Sequence, residues 1–275
     1  MKTLISIIIL LMVVNRALSE PGREPFISGA VNSTFPEPFY FSLSPCMANL
    51  NNEADSSNSG AINFFALAET SPSKFGISEL NSAYMAAGFF YSDNIIFRAG
   101  FGGIVNDIFS EYTAKAAGTY LFDNFALGFE AEYSNLMVTD FNSFGYLSLN
   151  IGGLISIDKS MNAGFRLKNI NAGSYPGSSA PVYRELSAGM SFEPGDKLSA
   201  DINAIILLDR TFGLSAALAY NYLELLQARI AYLTNPDTME FSVWYSATEN
   251  ISIAYTLNYH TVLGFSNRIG SAWKM

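Results

Sequence analysis

The chain has 275 residues, 49% of them apolar and only 14% charged, with 22 Phe, 15 Tyr and 21 Gly but one Cys and one His. Disorder is excluded, because it needs low hydrophobicity and high charge. A single Cys and a single His exclude a disulfide framework and a Cys/His zinc cluster, and a net charge of -9 excludes a general nucleic-acid binder, whose partner demands a basic face.

At the start of the chain, Lys2 precedes Leu4 to Val14, an 11-residue apolar run broken only by Ser6. A spanning helix needs about 20 apolar residues, so the run fits the core of a secretory signal. Ala17-Leu18-Ser19 reads as the cleavage site, making residues 1–19 a signal peptide. Residues 20–60 are irregular: Pro21, Pro25, Pro36, Pro38 and Pro45 interrupt any long element, and Asn49 to Gly60 is polar and small. A short helix near Cys46 to Leu50 is the regular element expected there. Cys46 itself is expected to be a small, partly buried residue, since Leu43-Ser44-Pro45 makes a poor lipidation motif. Phe35, Phe39, Tyr40, Phe41, Leu43, Met47 and Leu50 are too apolar for a tail in water and need a partner surface.

From about Ala61 onward the sequence alternates. Gly145, Leu147, Leu149, Ile151, Ile155 and Ile157 share one parity, while Tyr146, Ser148, Asn150, Gly152 and Ser156 share the other. Successive side chains of a strand face opposite sides, so these are one apolar and one mixed face. Met161 to Leu167 and Ile251 to Tyr259 repeat the pattern. Turn sequences at Asp93-Asn94, Asp123-Asn124, Asp158-Lys159-Ser160, Pro194-Gly195-Asp196, Tyr222 to Glu224 and Thr248-Glu249-Asn250 punctuate strand pairs, with no room for crossover helices. Strands are predicted near 61–68, 82–92, 94–105, 111–122, 124–137, 143–157 and 160–171. Seven more follow near 184–193, 197–208, 211–221, 224–233, 238–247, 250–260 and 263–274.

An open sheet of 12 to 14 strands would expose two long edges, and closure removes them. A soluble sandwich or lipocalin-like barrel would dress its outer face in Lys, Glu and Thr, but here charge is scarce and the second parity is rich in Gly, Ser and Asn. Strands of about 9–11 residues behind a signal peptide describe an outer-membrane barrel. The expectation is thus an all-β, up-and-down antiparallel transmembrane barrel over 61–275. Both termini are expected in the periplasm, with 20–60 plugging the lumen.

With the apolar parity facing lipid, Arg98, Lys115, Arg166, Lys168, Arg229 and Arg268 face inward, and so do Glu111, Glu130, Glu132, Glu185, Asp201 and Glu240. A charge on the lipid face costs about 2–4 kcal/mol near the midplane, which explains the sorting. Arg98, Lys115, Glu130, Glu132, Arg166, Arg229, Glu240 and Arg268 form the candidate lumen network, either as a polar permeation path or as ion pairs in a filled lumen. Phe39, Phe41, Pro45, Met47 and Leu50 are the candidate plug and ligand contacts. His260 is expected at a loop or rim. Asp201 with Asn203 supplies too few oxygens for a cation site. Tyr84, Tyr91, Tyr112, Tyr133, Tyr245, Tyr255, Tyr259 and Trp273 read as interfacial girdles. No metal, cofactor or catalytic constellation is expected.

Several patches resemble a known family. Ile253-Ala254-Tyr255, Asn258-Tyr259-His260, Leu263-Gly264 and Asn267-Arg268-Ile269 are similar to the closing pattern of the FadL-like outer-membrane barrels, in the branch that contains the type IX secretion protein PorV. Ala228-Arg229-Ile230-Ala231-Tyr232 looks like its Leu-Arg-x-Gly-Tyr strand, and Ser44 to Leu50 occupies the place of its Asn-Pro-Ala-Gly-Leu-Ala motif. The resemblance implies a 14-stranded barrel with an N-terminal segment in the lumen. It also implies passage or binding of small hydrophobic molecules, with a secretion accessory that meets other envelope components, or a structural barrel without transport, as alternatives. The partners it implies are outer-membrane lipid, a small hydrophobic ligand or secretion components.

Overall fold

The computed structural model describes residues 64–72, 80–139, 143–173, 182–195, 197–207, 212–223, 225–235 and 237–274. The signal segment, residues 20–60 and the candidate contacts Phe39, Phe41, Pro45, Met47 and Leu50 lie outside these. Every regular element described is a strand: β1 (Phe64–Ser71), β2 (Asn81–Ser92), β3 (Ile95–Val105), β4 (Phe109–Leu121), β5 (Phe125–Val138), β6 (Phe144–Asp158) and β7 (Met161–Lys168). The second half holds β8 (Glu185–Gly195), β9 (Leu198–Leu207), β10 (Phe212–Leu223), β11 (Leu226–Leu233), β12 (Thr238–Thr248), β13 (Ile251–His260) and β14 (Gly264–Lys274). Each pairs antiparallel with its chain neighbours, and β1 pairs with β14, from Phe65 opposite Lys274 to Thr70 opposite Ile269. The result is a closed, up-and-down barrel of 14 strands.

The pleat sorts side chains inside out relative to a soluble barrel. On β5, Leu127, Phe129, Tyr133 and Met137 are exposed outside, while Ala126, Glu130, Glu132, Ser134 and Leu136 are buried inside. The same parity holds around the circumference, so the outer face is apolar and the inner face carries the charges.

The two ends differ. The hairpins β2–β3, β6–β7, β8–β9, β10–β11 and β12–β13 each shift register beside a tight turn, and all five shifts lie at one end of the barrel. Such bulges add local twist and let a short turn close the hairpin. At the other end, side chains cap the connections: Asn106 Oδ1 accepts from the N–H groups of Ile108 and Phe109 at 2.8 and 2.7 Å.

Two strand ends lie furthest from those the sequence suggests, the other described ends agreeing to within about two residues. β7 stops at Lys168 instead of reaching 171, because Asn169 and Ala172 turn left-handed with φ of 54° and 51°. Asn tolerates that region, and here its side chain closes the turn, accepting from Gly173 N at 2.8 Å and donating to Val182 O at 3.0 Å. β1 runs on to Ser71, past the expected end at 68, because Glu69, Thr70 and Ser71 continue the ladder opposite Tyr84, Ala83 and Ser82 of β2.

Gly264, the residue that starts β14, has a φ of 86° and open space where a Cβ would stand, so its constraint is purely conformational. Gly264→Ala is expected to lower the stability of the refolded barrel by about 1–2 kcal/mol in urea titrations in detergent. Gly195→Ala, which also meets open space but without that φ, should leave the transition midpoint nearly unchanged.

Candidate functional site

The inner face carries its polar groups as a belt between the strand ends. Arg98 lies on β3, Lys115 on β4, Glu130 and Glu132 on β5, Arg166 on β7, Arg229 on β11, Glu240 on β12 and Arg268 on β14, all on the inner parity. Cross-strand register decides which meet. Lys115 stands directly opposite Glu132, and their charged atoms are 3.0 Å apart. Arg166 reaches diagonally to Glu185 at 2.9 Å, and Arg229 diagonally to Glu240. Arg98 Nη2 donates to Thr119 Oγ1 at 2.7 Å.

Neutral side chains join these pairs. Asn150 Nδ2 donates to Glu130 Oε1 at 2.8 Å, while its Oδ1 accepts from Ser148 Oγ and the Asn169 N–H at 3.0 and 2.9 Å. On the opposite arc, with the Asn258 amide turned so that its nitrogen faces the carboxylate, Nδ2 donates to Glu240 Oε2 at 3.1 Å and Oδ1 accepts from Arg268 Nη2 at 2.7 Å. Thr256 Oγ1 donates to Ser242 Oγ at 3.0 Å. Arg229, Glu240, Asn258 and Arg268 thus form one continuous chain across β11 to β14. Its central pair is almost wholly shielded, with Arg229 2% and Glu240 1% exposed.

Two apolar clusters also face inward, one on each side of the belt. Phe65, Leu67, Ile96, Trp244, Ala254 and Ala272 pack together toward the tight-turn end. Leu80, Phe109, Leu136, Tyr146 and Val182 pack toward the other end. Between them a cleft opens among Phe65, Ala86, Ala117, Arg98, Lys115 and Glu130, with Ala87 and Ala99 behind.

Three inner residues depart from the sequence reading. Tyr84, expected in a girdle, faces inward and lies over Gly100 and Gly102, whose missing side chains make the space. His260 stands at the turn as expected, at the last position of β13, yet its ring is buried, and Nδ1 accepts from the N–H groups of Val262 and Leu263 at 3.1 and 3.2 Å. Glu69, not singled out from the sequence, is buried on the inner face of β1. Asp201 and Asn203 sit buried on β9, and among the described residues no group of three or more His, Cys, Asp or Glu side chains could hold a metal ion.

No family model matches the chain, and no curated protein matches it by sequence. Solved structures do match. The toluene transporter TbuX of Ralstonia pickettii superposes with a TM-score of 0.58 at 11% identity, covering 95% of this chain and 96% of that one. The outer-membrane protein Omp33 of Acinetobacter baumannii gives 0.55 at 5% identity, over 79% of this chain and 100% of that one. A deltaS2 mutant of the monoaromatic hydrocarbon channel TodX gives 0.53 at 9% identity, over 78% and 89%. The chain therefore has the fold of outer-membrane β-barrel proteins.

Removing one member of the shielded pair strands the other. Arg229→Ala is expected to destabilise the barrel by about 3–5 kcal/mol. Leu257→Ala, on the outer face, should cost clearly less, and replacing both Arg229 and Glu240 by apolar residues should recover most of the loss. Urea titrations in detergent read all three.

Proposed function

We propose that this chain is a transport barrel of the bacterial outer membrane whose narrowed lumen passes or binds small hydrophobic molecules. The observation that carries the reading is the pair of inward apolar clusters. A water-filled pore has no use for Phe65, Leu67, Ile96 and Trp244 on its inner wall, since each large apolar side chain left in water forgoes about 1.5–3 kcal/mol. The bonded belt points the same way, because Lys115, Arg166 and Arg229 each pair with a carboxylate on the neighbouring strand. The descriptions of TbuX as a toluene transporter and TodX as a monoaromatic hydrocarbon channel add support from proteins of the same fold. In this reading residues 20–60, with Phe39, Phe41, Pro45, Met47 and Leu50, enter the lumen and gate it.

Deleting residues 24–58 should raise single-channel conductance in planar bilayers well above that of the full chain, while the full chain speeds toluene uptake by cells. Equal conductance of the two proteins, without toluene uptake, overturns the proposal.

Both termini are assigned to the periplasm, which puts the β13–β14 turn outside the cell. A cysteine at Val262, 76% exposed, in a Cys46→Ser background should react with a membrane-impermeant maleimide on intact cells. A cysteine at Asp93 should react only after the outer membrane is permeabilised. The reverse pattern inverts the topology.

A further inference from the structure

The inner wall is not uniform around the barrel. Facing the lumen are Ser187, Gly189 and Ser191 on β8, Asp201 on β9, and Gly213 and Ser215 on β10. On the opposite side of the closed sheet, β1, β2 and β3 turn Phe65, Tyr84 and Ile96 inward. Bulk on one wall and its lack on the other leave the roomier side of the lumen against β8 to β10.

Short side chains beside free space stand exposed, yet Ser187, Ser191 and Ser215 are 0%, 1% and 4% exposed. Register sets Asn162, Ser191 and Asp201 side by side across β7, β8 and β9. Asn162 Oδ1, Ser187 Oγ and Ser191 Oγ are buried and have no hydrogen-bond partner among the described residues. Buried polar groups are rarely left so, because each has given up its water. The wall therefore calls for a polar cover.

Residues 20–60 have the position and the chemistry to supply it. They lead into β1, whose first residue, Phe64, lies opposite Phe89 near the tight turn between β2 and β3. Asn162 and Ser191 lie toward that same end, near the β6–β7 and β8–β9 turns. A barrel of 14 strands, about 4.8 Å apart and tilted about 40°, is about 28 Å across. The 15 residues from Asn49 to β1 extend to about 50 Å, enough to cross it. From Asn49 to Ser59 all residues but Leu50 and Ala54 are Asn, Ser, Asp or Glu. Their amides and hydroxyls can donate to Asn162 Oδ1 and pair in either sense with a serine hydroxyl.

We infer that residues 20–60 dock on the β7–β10 wall through the polar stretch Asn49 to Ser59, and that Asn162, Ser187 and Ser191 hold the gate in place. The inference rests on the lumenal placement of this segment in the transport reading and names the surface that keeps it there.

The test uses the full-length barrel in detergent. The photoreactive residue p-benzoylphenylalanine is placed at Asn52, Asp55 or Asn58, one position at a time, and adducts are mapped by mass spectrometry. They should fall on inner residues of β7 to β10. Adducts confined to the inner residues of other strands overturn the choice of wall and leave the segment in the lumen. No adduct with any inner residue from all three positions overturns the lumenal placement itself. A second measurement reads the hold. Asn162→Ala, Ser187→Ala and Ser191→Ala together should speed cleavage after Glu53 by a glutamate-specific protease about tenfold or more, since three hydrogen bonds are lost. Heat-dependent gel mobility checks that this variant folds, and Ser191→Ala alone, with a smaller gain, serves if it does not. Equal cleavage of wild type and variant overturns the inference.

Discussion

A backbone that crosses lipid has no water to bond its N–H and C=O groups, and every other feature of this molecule answers to that constraint. Strands meet it only if no edge is left, so the pairing of β1 with β14 is a requirement of the environment. Once the sheet is closed, the pleat leaves two destinations for side chains. Lipid admits apolar groups, so Phe97, Phe129, Leu218 and Ile253 stand outside. Everything that cannot face lipid is pushed into a narrow interior.

That interior faces the opposite difficulty. Charges expelled from the outer wall gather at close quarters and must find each other. Antiparallel register supplies the geometry, because directly opposite and diagonal positions on one face come within reach of long side chains. Lys115 with Glu132 uses the first, and Arg166 with Glu185 the second. Asn150 and Asn258 matter because an amide can donate to a carboxylate on one side and accept from a donor on the other. Among the described residues, the register of the sheet therefore decides which of these charges meet.

This logic also explains what alternation could reveal. Strands such as β5, β6 and β13 are legible because lipid outside and polar groups inside impose a two-residue period with strong contrast. The placement of the inner charges follows from the same parity. The contrast fails in β1, where Phe65 and Leu67 build an inner apolar cluster and the buried Glu69 follows them on the same face. It fails again for Tyr84, where the signal was the pair Gly100 and Gly102 on the neighbouring strand, which clears inner space for a ring. The end of β7 depends on one left-handed Asn, which no hydrophobic pattern records. His260 shares the parity of Ala254, Thr256 and Asn258, so its inward direction was readable, but its bonds to the Val262 and Leu263 amides belong to the turn's own geometry. Which inner charges meet required the register of each hairpin, and register needs the turn lengths and bulges as well as the period.

The seam between β1 and β14 is unlike every other junction in the wall. Thirteen junctions join strands that follow one another in the chain, so each can zip from its own turn after closing only a short loop. The belt pairs named above respect the same order, linking strands adjacent in sequence. At the seam, the Ser71 hydroxyl reaches the Asn267 carbonyl at 2.6 Å across 196 residues. The entropy of bringing such distant segments together falls on this single line, and contacts of that separation form late. The barrel is therefore, in kinetic terms, a ribbon of self-sufficient hairpins with one latch, and its commitment to the closed form rests on the last pair of edges to meet.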